Sequence, residues 1–521
     1  TEVDSCPTFK KRKGEKGIMN TFMNGLTNAT NFTRTENGAL AHKSTRSMVY
    51  DMFALGAAYR KRSDEDCILL FKNALEENEE LAMKCLFYIA DCRGGQGERR
   101  FFRTCYKWLA NHYPEIAKRN LELIPEYRRW DDVIYSTVGT PVEEDALAFI
   151  KKQLALDVQC KTPSLLAKWM PSENASSYET RRMGNIVRTY LNMTHKEYRK
   201  TLSVLRARIN VLERLMSANR WDEIEFDKIP SKAGLIYKNA FARRDIIAKK
   251  YENFAKSETT KVNAKTLYPY EVVHKAVKGG DGWSYRFQFM SETDRAMVEK
   301  YWNNLPDYLN GKPCKMMCVV DTSGSMTGSE ASAPINVAIS LGMYCAERIG
   351  GPFKDHYISF ASRPQLIKIE GVDFVDKVRR IYRTNLCDNT NIEAVFKLLK
   401  KIALDPNTKK EDIPETIVII SDMQIDSGTG SWRYGGFRWT ETGAATEMEK
   451  IREDWEAHGL KCPKLVYWNV DARQNTILDN GPDVTFVSGM SPVIFEQVIA
   501  GVTGYELMLK KLMSARYEAV R

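Results

Sequence analysis

Asp321, Ser323 and Ser325 occupy alternate positions of "DTSGSM" (321–326), directly after the apolar run "CKMMCVV". Three hard oxygen donors in one short turn suit a nucleophilic serine, a phosphate cradle or a divalent cation. Two further pieces narrow the choice. Thr390 stands just ahead of a helix start in "CDNTNIEAVF", and Asp422 closes the apolar stretch "TIVIISD". Hydroxyls and carboxylates without nitrogen or sulfur ligands select an oxygen-loving cation such as Mg²⁺ or Mn²⁺. A serine nucleophile needs a base and an orienting acid, and His356, the one histidine near the motif, falls at a strand start. A phosphate loop needs Gly-Lys-Ser/Thr, and "SGSMTG" has no lysine. Aspartyl-phosphate chemistry wants a second Asp two residues on, where Ser323 stands. Cation binding therefore ranks first, and no catalytic residue is assigned.

These residues need a scaffold that brings distant loops to one place. From about residue 312 the chain alternates short apolar runs, "CKMMCVV", "HYISFAS", "QLIKI", "TIVIISD", "KLVYWNV" and "VTFVSG", with amphipathic stretches such as "PINVAISLGMYCAERIG" and "IEAVFKLLKKIAL". That alternation predicts a mostly parallel sheet with helices on both faces. Loops at the carboxyl ends of such strands bind ligands, and all five oxygen residues fall in such loops.

Residues 43–300 have a different rhythm. "SMVYDMFALGAAYR", "DEDCILLFKNALEENEELAMKCLFYIADCR", "RRFFRTCYKWLANHY", "EDALAFIKKQLAL" and "HKEYRKTLSVLRARINVLERLMSAN" repeat apolar residues at steps of three and four. Paired antiparallel helices follow, in an α-helical repeat of the HEAT type. "RRWDDVI" (128–134) echoes in "NRWDEIE" (219–225), a helix-start device with Trp130 and Trp221 as buried anchors and acidic residues at the positive end of the helix dipole. The stretch 251–283 reads as the end of this region plus a linker. The division expected is 1–42 a basic arm, 43–300 helical, and 301–521 α/β with C-terminal helices.

Charge follows the same division. The net charge is +10 over 521 residues, yet residues 1–300 hold 51 Lys and Arg against 39 Asp and Glu, and residues 151–250 alone hold 21 against 10. A polyanion partner is the natural expectation. Candidate phosphate contacts are Lys161, Lys168, Arg181, Arg182, Arg188, Arg206, Arg208, Arg214, Arg243 and Arg244. The loop "RGGQGERR" adds Arg93, Arg99 and Arg100 together with backbone amides. Trp169 and Tyr178 are placed to stack exposed bases, and Lys10, Lys11, Arg12, Lys13 and Lys16 form a basic tail. For any one arginine, a solvated helix face or an internal ion pair is the commoner role; the surplus as a whole carries the expectation.

Eleven cysteines without a C-x-x-C pair read as reduced, buried thiols in a reducing, cytoplasmic compartment rather than disulfides or a zinc site. No apolar stretch approaches the roughly 20 residues of a membrane-spanning helix.

The spacing D-x-S-x-S after a first strand, a distant Thr at a helix start and an Asp ending a later strand resembles the metal-ion-dependent adhesion site of von Willebrand factor A domains, with all five positions filled. The resemblance implies that Ser323, Ser325 and Thr390 bind Mg²⁺ or Mn²⁺ directly. Asp321 and Asp422 would act largely through water, leaving a sixth position for an acidic ligand. A helical-repeat region followed by such a domain is similar to the Ro ribonucleoprotein (TROVE) architecture. "LFYIADCRGGQGERRFFR" (86–103), "LIPEYRRWDDV" (123–133), "LLAKWMPSENASS" (165–177), "INVLERLMSANRWDEI" (209–224) and "NAKTLYPYEVV" (263–273) look closer to a sister group of Ro. The resemblance implies a non-enzymatic protein that binds noncoding or misfolded RNA and docks an acidic partner through the cation site. The rival expectation is a scaffold that recruits an acidic protein and binds no nucleic acid; a metal-dependent nuclease or phosphatase ranks third.

Overall fold

A computed structural model describes residues 31–277, 287, 289–384, 390–425, 431–433, 436–438, 447–479, 481 and 483–521. The basic run Lys10 to Lys16, with Cys6 and Cys387, lies outside them, as does the Gly-Gly break at 279–280.

The first part is helical, as expected. Helices Met48–Leu55, Asp64–Glu77, Glu79–Ala90, Arg99–His112 and Trp130–Thr137 pack on one another in sequence order, followed by Glu143–Gln159, Tyr178–Tyr190 and His195–Arg208. The long pattern from Asp64 is two helices. Asn78 breaks it in extended backbone and caps the second helix by accepting from Leu81 N at 2.9 Å. Asn210, in left-handed backbone at φ 50°, interrupts the pattern from His195 before a short helix Leu212–Ser217. Ser231–Arg243, Asp245–Lys256, Pro269–Ala276 and Glu292–Asn303 complete the helical part.

The second part is a six-stranded mixed sheet. Its strands are β3 (Met316–Asp321), β4 (His356–Phe360), β5 (Leu366–Lys368), β6 (Thr416–Ser421), β9 (Lys464–Asn469) and β10 (Val484–Ser488), in the order β10-β9-β6-β3-β4-β5. Every pairing is parallel except β4 with β5. All six residues of β3 are buried, so both faces of the sheet centre are covered. Helix Pro334–Arg348 crosses β3, β4 and β6. Gly342 permits that close approach, since a Cβ there would come within 2.5 Å of Val320 Cγ2. A hairpin of β7 (Ser431–Arg433) and β8 (Gly436–Arg438) lies outside the main sheet.

The expected basic arm needs correction at its end. β1 (Phe32–Arg34) and β2 (Leu40–His42) form an antiparallel hairpin that belongs structurally to the sheet region. His42 and Ile477 exchange backbone hydrogen bonds of 2.7 and 2.9 Å, and Thr35 Oγ1 donates to the Ile425 carbonyl at 2.7 Å. Nothing in residues 31–42 advertises this: the strands are three residues long, and these contacts with the sheet region span 390 positions or more.

The two parts are also interleaved. Helix Met48–Leu55 covers the β10 edge, where Phe486 N donates to the Tyr50 hydroxyl and Ser488 Oγ to the Phe53 carbonyl, closing an edge that would otherwise be open to pairing. At the far end of the helical part, Pro269–Ala276 packs on Pro334–Arg348, and Arg295 grips Asp373 with two bonds of 2.6 and 2.7 Å. The last residues return to the helices, where the Tyr517 ring stacks on Tyr127 and its hydroxyl donates to Asp91.

Candidate cation site at the sheet switch point

From β3 the chain steps to β4 on one side, and then to β6, β9 and β10 on the other. The crevice between the carboxyl ends of β3 and β6 is therefore the topological switch point, where ligands of open α/β sheets bind. Asp321 ends β3, and Asp422 follows the last residue of β6.

Asp321 is a positioning carboxylate. Its Oδ1 accepts from Ser323 N at 2.8 Å and its Oδ2 from Ser421 Oγ at 2.5 Å. The first bond curls the chain into the Gly324–Met326 turn and sets the Ser323 and Ser325 hydroxyls 3.1 Å apart. Thr390, just before the helix Ile392–Ala403, donates its hydroxyl to the Gln424 carbonyl at 2.9 Å. All five expected oxygen residues thus come to one edge. Asp321, Ser323, Thr390 and Asp422 are buried, and Ser325 is half-buried.

The electrostatics suit a cation. Burial pushes the Asp321 carboxyl up to about 7, with the Asp422 charge adding to the effect. Burial likewise raises Asp422, offset in part by the Ser325 hydroxyl and the Arg473 guanidinium. Two carboxylates so placed oppose each other's ionisation, which a divalent ion reverses. Asp422 Oδ2 is sealed from solvent without a hydrogen-bond donor, an orphan that a cation or its bound water would satisfy. Among the described residues no group of three or more His, Cys, Asp or Glu side chains gathers in a way that could hold a metal ion. The donor set here is two carboxylates and three hydroxyls, which favours a hard ion.

Sequence reasoning missed five residues. Ser421 was legible as the neighbour of Asp422. Gln424 is a buried hub: its carbonyl accepts from Thr390 and Asn37, and its Oε1 accepts from Glu36 N. Met423, between the two, takes φ 63°, and that left-handed residue makes the tight turn that aims Asp422. Arg473, in the loop after β9, and Glu36, in the hairpin, complete the rim.

The candidate RNA contacts scatter. Arg99 and Arg103 each bridge Asp131 and Asp132, joined at Asp132 by Arg128 and at Asp131 by Arg129. The "WDD" turn is thus an arginine clamp. Its counterpart at Trp221 begins only a single 3-10 turn. Arg93 donates to the Glu126 carbonyl, Arg100 to the Arg60 and Arg62 carbonyls, Arg181 to Ala175 and Ser176, Arg206 to Ala167 and Met170, and Arg208 to Val158 and Cys160. Arg188 pairs with Glu173, and burial lowers Arg206 below the usual arginine range. Three amides of "RGGQGERR" expected to meet phosphate are also spent: Gln96, Gly97 and Glu98 donate to the carbonyls of Tyr88, Asp91 and Ile89. Lys168 lies over the Trp169 ring, which also carries Arg129 on it, so that ring is already stacked. Lys161 and Arg182 are exposed. Tyr178, 75% exposed, stands with Arg181 and Arg182 along an open cleft of about 640 Å³ that also contains Glu173, Asn185 and Tyr190.

Residues 35–135 and 162–312 match a family model described as a domain of unknown function, DUF2828. Residues 315–506 match a second, DUF7788. The two meet where the helices give way to the sheet. The chain is similar to Uncharacterized protein L728 of Acanthamoeba polyphaga mimivirus, with 27% identity over 519 residues, covering 90% of this chain and 85% of that one.

Described cysteines are all free thiols, most of them buried. No described helix is long and apolar enough to cross a membrane.

Proposed function

We propose that the α/β part is a von Willebrand factor A-type domain whose sheet edge holds Mg²⁺ or Mn²⁺ and docks an acidic ligand, in a non-enzymatic, Ro-like two-part protein. The observation that carries this reading is the meeting of Asp321, Ser323, Ser325, Thr390 and Asp422 at the switch point, around a buried carboxylate oxygen with no donor. Ser323, Ser325 and Thr390 would hold the ion, with Asp321 and Asp422 supporting them. The ion would supply a positive centre for an acidic oxygen. Asp321 contributes by fixing the turn through Ser323 N and by tying β3 to Ser421 at the end of β6.

The expected result is a thermal transition that rises on adding Mg²⁺ to chelator-treated protein, because an ion that binds only the folded chain stabilises it by mass action. A transition insensitive to both Mg²⁺ and Mn²⁺ at millimolar concentration would sink the reading.

RNA binding is the second half of the proposal, and the cleft beside Tyr178 favours it. An exposed ring next to Arg182, on the most basic segment, is the pairing that single-stranded RNA uses: stacking for a base, a cation for phosphate. Tyr178→Ala is expected to weaken a short single-stranded RNA by roughly 5- to 100-fold, the worth of one stacked base, measured by fluorescence anisotropy. Wild-type affinity should fall steeply with salt. An affinity indifferent to both changes favours the scaffold reading, in which the cation site recruits an acidic protein alone.

A further inference from the structure

Arg473 lies between two carboxylates of very different standing. Its Nε is 3.5 Å from Asp422 Oδ2, a charge contact that leaves that oxygen without a hydrogen bond. Its Nη1 is 3.6 Å from Glu36 Oε2, and its Nη2 donates to the Ser325 carbonyl. Asp422 is sealed, whereas the Glu36 side chain is 40% exposed and that of Arg473 37%. A guanidinium has no acceptor and cannot give up its charge at ordinary pH.

A divalent ion entering the oxygen cluster meets this fixed positive charge at Asp422. Like charges at such range repel strongly in a half-buried setting, so the guanidinium must withdraw, and Glu36 waits on its other side. We propose that Arg473 is the resident counter-charge of the site and that a bound cation displaces it onto Glu36, so that the N-terminal hairpin sets the affinity of the site for metal. This rests on the cation-binding reading above.

The hairpin is built to hold Glu36 there. Glu36 N donates to Gln424 Oε1 at 2.8 Å, Asn37 Nδ2 to the Gln424 carbonyl at 2.7 Å, and Thr35 Oγ1 to the Ile425 carbonyl at 2.7 Å. Gln424 is two residues from Asp422 and also receives the Thr390 hydroxyl, so the hairpin grips the turn that carries part of the donor set. The helical part holds the Arg473 loop from the opposite side. Arg62 donates to the Arg473 carbonyl, and Lys61 pairs with Asp471 at 2.9 Å. A guanidinium anchored by its backbone from one region and offered a second carboxylate by another has two resting places a small rotation apart.

A double-mutant cycle read by direct Mn²⁺ titration tests this, with free Mn²⁺ followed by electron paramagnetic resonance on the full chain. Arg473→Gln is expected to tighten Mn²⁺ binding about tenfold or more, and Glu36→Gln to weaken it about three- to tenfold, as charge removal at this range implies. The decisive result is the coupling. In the Arg473→Gln background, Glu36→Gln should change affinity by less than about twofold, because Glu36 acts through the guanidinium. If Glu36→Gln costs the same in both backgrounds, it acts only as a distant charge and the displacement is wrong. If Arg473→Gln leaves affinity unchanged while the fold persists, Arg473 is only a strut between loops. Should Arg473→Gln fail to fold, Glu36→Gln and Arg473→Lys remain: the lysine variant keeps the charge and should bind Mn²⁺ within about threefold of wild type, and a tenfold gain would overturn the proposal. Absence of Mn²⁺ binding by all the variants and the wild type would overturn the cation reading itself, a result distinct from bound metal without coupling.

Discussion

Asp132→Ala should be the most damaging single substitution in the helical part, lowering stability by about 3–5 kcal/mol, the usual consequence of orphaning a buried charge. Asp132 is fully buried and receives Arg99, Arg103 and Arg128. Burial alone would raise its carboxyl, but the charges of Arg128, Arg103 and Arg99 outweigh that and hold it at about 2. Removing it leaves the Arg128 side chain, itself 5% exposed, without its carboxylate. Arg128 also donates to the Ala90 and Gly97 carbonyls, so the loop that joins helices Glu79–Ala90 and Arg99–His112 loses its anchor with it. Urea midpoints measure the loss. The pH dependence has a definite direction. A carboxyl lowered on folding stabilises the protein above its unfolded value, near 3.8, and that contribution fades as pH falls from about 4 to about 2. The gap between wild type and Asp132→Asn should therefore be constant above about pH 5 and narrow below about pH 4. A gap that widens in acid would show that Asp132 is not the ionised centre of the clamp.

Ser323→Ala combined with Ser325→Ala should abolish the Mg²⁺-dependent rise in melting temperature and leave the chelated protein almost as stable as wild type. The two hydroxyls lie 3.1 Å apart, Ser323 buried and Ser325 half-buried, whereas the fold of the turn depends on Ser323 N and Asp321, which the change spares. Calorimetry with and without Mg²⁺ separates these effects. Retention of the full rise by the double variant would place the ion elsewhere. Loss of stability already in chelator would show that the serines hold the turn rather than a ligand.

Much of this site could be read from residue order because its donors sit at strand and helix ends. Such positions carry local signals: an apolar run that stops at Asp321, another that stops at Asp422, and a polar break before Ile392. The rim could not be read in that way. Glu36 reaches the site through a hairpin whose strands are too short to show alternation, and Arg473 is one arginine among many until β9 places it beside β6. The arginine-rich segment is hard to read for the opposite reason. Composition counts charge but not its partners, and seven of the guanidiniums chosen for phosphate already bind carbonyls or carboxylates of their own chain. Tyr178 is different: an aromatic residue that is exposed in the folded chain has escaped the role that usually claims such residues.

The covering of β10 by Met48–Leu55, with the return of Tyr517 to Tyr127 and Asp91, gives the chain the character of a clasp rather than of beads on a string. Divided between residues 312 and 315, where the two family models meet, each fragment would keep one half of the fastening. One would carry the apolar face of Met48–Leu55 with nothing to lie on, and the other a bare strand edge and a dangling tyrosine. Neither fragment is a finished object, so the two halves are expected to fold together as a single unit.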